Sequence, residues 1–592
     1  MQKSFPGRVG LRRTAAVAAL GLAATLTGVV LPGPAVSAPD ERCPEVFPLA
    51  DVAKGDAIEG LTVTSGTVPT GFTGTIKGVL EDGIAPDVDM IMADLESPEL
   101  DRVGGIWEGM SGSPVYAEDG RLIGAVAYGL SYGPSKVAGI TPASAMYALR
   151  SKTGAPAAPA AKVAIPRRQQ AALASTGVSA RQVRGGFSAL PLPYGVSGLG
   201  AKRLSKAADA FDFAADRVFA AGAAPLAERA PAVRPVAGGN IAASLSYGDV
   251  SMVGTGTVTA VCGEEVIGFG HPMNFSGPTT LTMHNADAIY IQEDSTGAPF
   301  KVANPSAPIG TINQDRLAGI LGPIGSIPAT TPITSTVAMR DGSGSRIGET
   351  RATYLPAMGD IAASHLMANL DRVYDGWRAG SAEAGWTIRG TRSNGTPWTY
   401  SFADHWTDRA DITFLPSVTL YEHAETLRTA LGTKGTIDAI TIDAKLSEEL
   451  RTWSIVEVEA EVRRAGTWVP LQARKKIKAR AGAVLRVRAT LASVDNNLGR
   501  KVVRMTVRVP AKAKGAEGTL VVATAGVAPL AERVQGSGVD RAIARLQRSP
   551  RQSDLVAAVV ATPRRTELVN RTVAPQNAKI TGGKRIRVQI LR

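Results

Sequence analysis

The chain has 592 residues, of which 44% are hydrophobic and 20% charged, so it is long enough for several folded domains rather than one core. Its formal net charge is +13, but nothing in the arrangement of the basic residues indicates nucleic acid as a partner. The 64 glycines and 37 prolines indicate many turns between short strands, and we expect a mainly β protein.

The first 38 residues have the pattern of an export signal. A basic start precedes an apolar run from Ala15 to Leu31 that contains no charge, and Val36-Ser37-Ala38 offers small residues for cleavage. We expect cleavage after Ala38, which would make the protein secreted or associated with the cell envelope. The alternative is an uncleaved anchor. No second stretch of about 18 apolar residues follows, so no stable transmembrane segment is expected after cleavage.

Residues 39–150 read as short strands with tight turns, and one turn stands out. Gly109-Met110-Ser111-Gly112-Ser113-Pro114 lies just before a hairpin. Glycine on either side of the serine permits a tight bend. Such a bend exposes the Ser111 hydroxyl and directs the amides of Gly109 and Ser111 into one small space, as an oxyanion hole requires. Ser111 is therefore the predicted nucleophile of a serine peptidase; the alternative is an ordinary turn between strands.

The next two blocks differ in composition. Residues 151–238 are rich in Ala, Pro and Gln at first, and we expect a linker with a small α/β connection. Residues 239–400 are again β-rich. Their sharpest feature is a hairpin through Cys262-Gly263-Glu264-Glu265 whose second strand leads to His271.

A serine nucleophile needs a base with a pKa near the working pH, and the chain has five histidines. We predict His271, because it follows a strand in a β-rich block, and His284 is its main rival. The base in turn needs an acceptor that fixes its tautomer. Asp315 is the preferred candidate, and Asp94 and Glu96, which precede the serine, remain open.

Cys43 and Cys262 are the two cysteines of the chain. In an exported protein such a pair is expected to form a disulfide, although two free buried thiols are the alternative. The sequence has no HExxH, no zinc spacing of Cys and His and no phosphate-binding loop. We therefore expect no metal and no cofactor.

The C-terminal part alternates apolar and polar residues with period two. This pattern predicts a β-sandwich module at 410–525, followed by a partly helical tail at 526–592. A cationic patch in the module would allow association with an anionic cell envelope, whereas the alternative is a solvated strand edge. The residues of this patch are Arg474, Lys475, Lys476, Lys478 and Arg480.

Two groups of motifs resemble the SpoIVB-type serine peptidases, over roughly 46–150 and 240–325. The serine region is carried by Gly104-Gly105-Ile106, the turn at 109–114, Leu122-Ile123-Gly124-Ala125-Val126 and Ala138-Gly139-Ile140-Thr141-Pro142. The histidine region is carried by Phe269-Gly270-His271-Pro272 and the stretch 310–316. The family's acidic residue lies shortly before its serine, where this chain has Leu95-Glu96-Ser97-Pro98 without an aspartate.

The resemblance implies two chymotrypsin-like β-barrel halves with Ser111 as nucleophile and His271 as base at their interface. The serine-bearing half, 39–150, precedes the histidine-bearing half, 239–400, so the halves are in permuted order relative to the sporulation protease of this family.

The expected fold is thus mainly β, with two permuted barrel halves and a C-terminal sandwich. The expected function is an exported serine endopeptidase acting on protein or peptide substrates. The alternative is a secreted, non-catalytic envelope-binding or adhesion protein on a degenerate peptidase scaffold.

Overall fold

A computed structural model provides the structure of this protein, and it describes residues 43–592 with internal gaps. The predicted signal peptide, 1–38, therefore lies outside the described residues, as does part of the predicted linker. The gaps are 155–162, 168–169, 171–172, 174–175, 177, 191–193, 212–217, 228–232, 295–297, 433–434, 465, 472–476, 496, 526–535 and 564–566.

The protein is mainly β, with 51% strand and 17% helix, as the composition predicted. Among the described residues, the first six strands close into an antiparallel ring in the order β4-β1-β2-β3-β6-β5, and β5 pairs back to β4. Closure leaves no strand edge within the ring. The strands are β1 Ala57–Thr62, β2 Thr70–Ala85, β3 Val88–Glu96, β4 Pro114–Ala117, β5 Leu122–Leu130 and β6 Val137–Pro142.

This first ring, the serine barrel, closes around apolar side chains from its strands. Along β1 the exposed and buried positions alternate, as period-two strands require. Ile58, Phe72, Ile76 and Ile91 fill the interior together with Trp107 from the loop before Ser111. The loop that carries the predicted nucleophile is therefore anchored in the core of the barrel.

A second antiparallel ring, the histidine barrel, follows later in the chain. In the described part its order is β10-β13-β14-β15-β12-β11, with β11 pairing back to β10. Its strands are β10 Asn240–Gly248, β11 Met252–Cys262, β12 Glu265–Gly268, β13 Gly277–Gln292, β14 Phe300–Arg316 and β15 Gly319–Pro323. Two closed barrels in this arrangement match the chymotrypsin-like architecture that the family resemblance implied.

The connection between the barrels contributes short strands to both of them. β7 Phe187–Ala189 pairs with β5, and β8 Tyr194–Val196 pairs with β11, while β9 Val218–Ala220 pairs with β8. The connection is therefore attached to both barrels by backbone pairing rather than being a free linker.

The sheet of the histidine barrel continues beyond the ring through β17, β16, β20, β18 and β19. The helix Met358–Tyr374 packs on β16 and β17 and against the helix Phe414–Leu431. These strands are β16 Thr331–Met339, β17 Ser345–Ala352, β18 Gly380–Thr391, β19 Pro397–Asp408 and β20 Thr436–Ser447. The α-helices of the described chain are Pro98–Val103, Ala143–Tyr147, Ala180–Gly185, Ala201–Ala208, Met358–Tyr374, Phe414–Leu431 and Gly538–Gln547.

The C-terminal part is a β-sandwich. One sheet has the order β22-β21-β24-β25 with β29 beside β21, and the other has the order β23-β30-β26-β27-β28. Residues of both sheets, among them Val487 and Val559, share one apolar core. The strands are β21 Thr452–Arg464, β22 Thr467–Leu471, β23 Ile477–Arg480, β24 Val484–Ser493, β25 Arg500–Arg508, β26 Glu517–Thr524, β27 Asp554–Ala561, β28 Leu568–Pro575, β29 Lys579–Thr581 and β30 Gly583–Leu591.

The extent of the sandwich differs from the expected 410–525. β20 is part of the extended sheet of the histidine barrel, the helix Phe414–Leu431 packs on β18 and β20 of that sheet, and the sandwich begins at β21. The described part of the expected tail, 526–592, contains one helix and then four strands that complete the sandwich. β27 is buried along nearly its whole length, so it shows no period-two alternation that would predict a strand.

Two expectations about surfaces can be placed on this fold. Lys478 and Arg480 are exposed on β23, an edge strand of the sandwich, whereas the rest of the cationic patch lies outside the described residues. Within the described ranges, no helix combines the length and the apolar character needed to cross a membrane.

Candidate active site

The turn around Ser111 is built on two glycines in the left-handed region. Gly109 has φ 93° and Gly112 has φ 94°, a conformation that side chains rarely adopt. At Gly112 there is also no room, because an added Cβ would lie 2.0 Å from the carbonyl oxygen of Thr257. The chain bends at these two positions, as the sequence predicted, but Ser111, which lies between them, is buried and not exposed as expected.

The histidine barrel holds this turn in place through β11. The amide of Thr257 donates to the carbonyl oxygen of Ser111 at 2.8 Å, and its hydroxyl donates to that of Gly109 at 3.1 Å. The hydroxyl of Thr259 donates to the carbonyl oxygen of Gly112 at 2.7 Å. The turn is therefore fixed between the two barrels although its sequence belongs to the first.

His271 follows β12 after a tight bend. Phe269 and Gly270 have φ 68° and 69°, and the amide of Gly270 donates to the carbonyl oxygen of Gly268 at 2.9 Å. The carbonyl oxygen of Gly270 accepts a 2.6 Å hydrogen bond from the hydroxyl of Thr141 on β6. A strand end of the serine barrel thus holds the backbone next to the imidazole.

The structure brings Ser111 and His271 into contact across 160 residues of sequence. Oγ of Ser111 lies 2.8 Å from Nε2 of His271, and Nδ1 lies 2.9 Å from the carbonyl oxygen of Pro272. Because a carbonyl oxygen can only accept, this geometry puts the proton of a neutral ring on Nδ1. Nε2 is then the acceptor for the Ser111 hydroxyl, which is the tautomer that a general base needs.

The amides of Gly109 and Ser111 were predicted to form an oxyanion hole. In the part of the chain that the structure describes, neither amide donates to an acceptor. The neighbouring amides of Met110 and Gly112 donate to the carbonyl oxygens of Trp107 and Val126. The turn therefore leaves two backbone donors available beside the serine.

Asp315 lies on β14 and is fully buried. Its carboxylate accepts hydrogen bonds from the amides of Met273 and Asn274, both at 2.8 Å, and of Ser276 at 3.2 Å. Burial raises the pKa of Asp315, and the backbone amides partly oppose that shift. These bonds hold the carboxylate against the backbone of the segment that immediately follows His271.

The two alternative acids lie on β3 of the serine barrel. Asp94 pairs with Nζ of Lys77 at 3.4 Å. Glu96 is exposed at the end of the strand and lines an open groove of about 820 Å³. Neither Ser111 nor His271 is among the described residues that line this groove.

His284, the rival base, sits inside the histidine barrel with a serine of its own. Its Nε2 lies 2.8 Å from Oγ of Ser244, and its Nδ1 lies 2.8 Å from the carbonyl oxygen of Ser306. Its side chain is fully buried, and burial lowers its pKa to about 4. The structure brings His271, not His284, to Ser111.

Sequence reasoning missed one buried cation beside the turn. Lys301 on β14 is 1% exposed, and its Nζ donates to Oδ1 of Asn240 at 2.7 Å. Its amide donates to the carbonyl oxygen of Glu108, and its Cβ would lie 2.9 Å from a Cβ placed on Gly109. Burial lowers the pKa of Lys301 to about 7. Because Lys301 lies in an ordinary strand pattern, no local signal distinguished it from a solvated lysine.

Cys43 and Cys262 form a disulfide. It ties the start of the described chain to the end of β11, the strand that holds the Ser111 turn. Among the described residues, no group of three or more His, Cys, Asp or Glu side chains is arranged to hold a metal ion.

Comparison with known proteins gives a family match. Residues 37–146 match the family model described as SpoIVB peptidase S55. The matched range contains the serine barrel and Ser111 and ends before His271. No curated protein and no solved structure matches the chain.

Proposed function

Because residues 37–146 of this chain belong to the SpoIVB peptidase family, we propose that the protein is a serine endopeptidase that works through an acyl-enzyme. A peptidase of this family acts on protein substrates. The observation that carries the proposal is the 2.8 Å contact between Oγ of Ser111 and Nε2 of His271 at the junction of the two barrels.

In the proposed reaction, Nε2 of His271 takes the hydroxyl proton as Oγ of Ser111 attacks a peptide carbonyl carbon. The C–N bond then breaks, and the leaving nitrogen receives the proton from His271. Water attacks the acyl-enzyme by the same route in reverse and releases the second product. The hydrogen bond between Nδ1 and the carbonyl oxygen of Pro272 keeps the ring in the tautomer that this cycle needs.

The developing negative charge on the carbonyl oxygen needs donors that are already in place. We assign this role to the amides of Gly109 and Ser111, which have no other acceptor in the described chain. Removing one oxyanion donor from a serine peptidase typically costs about 100- to 1,000-fold in kcat.

We assign Asp315 a positioning role. Its three hydrogen bonds to backbone amides hold the chain that follows His271, so it would fix where the imidazole stands. This differs in detail from the expectation that an acid contacts the ring directly.

We also propose an extracytoplasmic location. The export pattern of residues 1–38 supports it, and so does the Cys43–Cys262 disulfide, because disulfides persist in oxidising compartments. The exposed Lys478 and Arg480 on β23 support association with an anionic envelope.

Labelling by a fluorophosphonate probe tests the proposed function. We expect the purified full chain to be labelled at Ser111, and the Ser111→Ala and His271→Ala variants to lose labelling while their circular dichroism spectra stay unchanged. His284→Ala is the matched control: provided that it folds, it should keep Ser111 reactive. If the folded wild-type protein never takes up the probe, and the Leu190 variants described in the next subsection do not take it up either, the non-catalytic binding protein becomes the better explanation.

A further inference from the structure

The paired Ser111 and His271 are closed off from solvent. Their exposed fractions are 0% and 1%. An endopeptidase has to lay an extended polypeptide against its nucleophile, so a site in this state has no free path for a substrate. The structure also shows which part of the chain lies beside the site.

Residues 187–190, here called the inserted segment, lie along β5 as an added antiparallel strand. Tyr128 pairs with Ala189, and Gly129 pairs with Ser188. The amide of Leu190 donates to the carbonyl oxygen of Ala127 at 2.9 Å. A stretch of the connection between the barrels is thus bound by the backbone geometry that peptide ligands use when they extend a sheet.

This part of β5 runs directly beside both reacting residues. Val126 is hydrogen-bonded to the Ser111 turn twice: its carbonyl oxygen accepts from the amide of Gly112, and its amide donates to the carbonyl oxygen of Ser113. Ala127 borders the backbone before His271, since a Cβ placed on Gly270 would lie 2.9 Å from its Cβ. The ring of Tyr128 meets that of His271 edge-on, with centroids 6.4 Å apart. A chain paired with residues 127–129 therefore lies next to the serine and the histidine.

Leu190, the last residue of the inserted segment, fills an apolar pocket beside the turn. It is 3% exposed and shares a core cluster with Ile106, Trp107 and Met110. A Cβ placed on Gly129 would lie 2.9 Å from Cδ2 of Leu190 and 3.1 Å from Cδ1 of Ile106. The absence of a side chain at Gly129 is what makes room for the leucine.

We propose that the inserted segment occupies the substrate position of the peptidase site, with Leu190 in the pocket that selects the residue before the scissile bond. This inference rests on the proposed function. It makes the connection an internal competitor of the substrate, which explains why the reacting pair is closed.

The pocket also defines a substrate class. A leucine-sized apolar side chain fits against Ile106, Trp107 and the bare backbone of Gly129, whereas a charged side chain would be buried there without a partner. The enzyme should therefore cleave extended peptides after an apolar, leucine-like residue and reject lysine or aspartate at that position.

The test compares rates of fluorophosphonate labelling of Ser111 in the purified full chain and its variants. Leu190→Asp places a charge in the apolar pocket and should expel the inserted segment, so we expect labelling to accelerate about tenfold or more. Leu226→Asp is the matched control, because Leu226 lies in the same connection and is already 43% exposed. Its labelling rate should equal that of the wild type.

Leu190→Ala is a second, gentler variant that keeps the fold if Leu190→Asp does not. We expect it to label faster than the wild type and to be protected by added Phe-Ser-Ala-Leu peptide. Equal labelling rates in the wild type and both folded variants would overturn this inference and leave the proposed function intact. Absence of labelling in all of them would overturn both.

A pair of quenched fluorogenic peptides tests the pocket with Leu190→Ala as the enzyme. One carries Phe-Ser-Ala-Leu before the reporting bond and the other Phe-Ser-Ala-Lys. We expect kcat/KM for the leucine peptide to be at least about tenfold higher. Equal cleavage of the two peptides would show that Leu190 does not mark the specificity pocket.

Discussion

At the scale of single residues, a hydrogen-bonded serine–histidine pair does not by itself identify a peptidase site. In the described chain, His284 contacts Ser244, and His365 contacts Ser335. Both rings are fully buried, and burial lowers the pKa of each to about 4. His271 differs in its position, because its partner lies in the other barrel, on a turn with two available backbone donors.

Lys301 leads to a prediction about stability and pH. Burial lowers its pKa to about 7 in the folded protein from 10.5, so between these values the unfolded chain binds more protons. The unfolding free energy should therefore rise with pH across this window, by up to about 1.4 kcal/mol per pH unit from this residue. In Lys301→Met, whose unbranched side chain is similar in size but carries no titratable group, this contribution should be absent.

Denaturant unfolding between pH 7 and 10 measures it. A wild type and a Lys301→Met variant that change in parallel over this range would contradict the assignment.

At the scale of elements, the segment after His271 depends on β14 rather than on its own sequence. Residues 273–276 donate three backbone hydrogen bonds to Asp315, which is 42 residues from Met273. Sequence reasoning chose Asp315 for its place in the same block. What it contacts could not be predicted, since the pairing of β13 with β14 brings it there.

Asp315→Asn should lower kcat through the position of His271. An amide side chain cannot accept all three hydrogen bonds, so we expect kcat to fall about 10- to 100-fold while KM changes little. Peptide hydrolysis measured with Leu190→Ala as the parent enzyme checks whether kcat falls while KM stays nearly the same.

Asp94→Asn is the matched control, since Asp94 contacts Lys77 on the serine barrel, and its kcat should stay at the parent value. If instead Asp94→Asn loses kcat and Asp315→Asn does not, Asp94 is the acidic partner.

The helices show where element prediction failed. Met358–Tyr374 is buried on nearly all sides, so it has no polar face and shows little helical period in its sequence. In the serine barrel, β1 alternates exposed and buried positions and was readable as a strand, whereas β5 is buried along its whole length and was recognised only by the tight turns beside it. Local patterns were thus readable where one face of an element meets solvent.

At the scale of the whole molecule, the candidate site depends on holding two barrels together. The turn of the first barrel is bonded to β11 of the second, and the Cys43–Cys262 disulfide ties the start of the described chain to the end of that strand. The disulfide closes a loop with a sequence separation of 219, so its main effect is to restrict the unfolded chain.

Replacing both cysteines with serine should destabilise the protein by about 2–5 kcal/mol. Thermal unfolding should show a lower Tm for the double variant, and a reducing agent should lower the wild-type Tm toward the same value. The double variant itself should not respond to the reducing agent. A wild-type Tm that is insensitive to reduction would contradict a stabilising disulfide.

The sequence by itself determined the features that depend on a few neighbouring residues. The bend at Gly109 and Gly112 follows from their freedom to adopt positive φ, and the short alternating strands follow from one-sided burial. The tertiary structure alone decided which histidine reaches Ser111, what Asp315 holds and that Leu190 lies beside the site. These placements depend on how two barrels close and meet, and no local period encodes contacts between residues that lie 42 to 160 positions apart in the sequence.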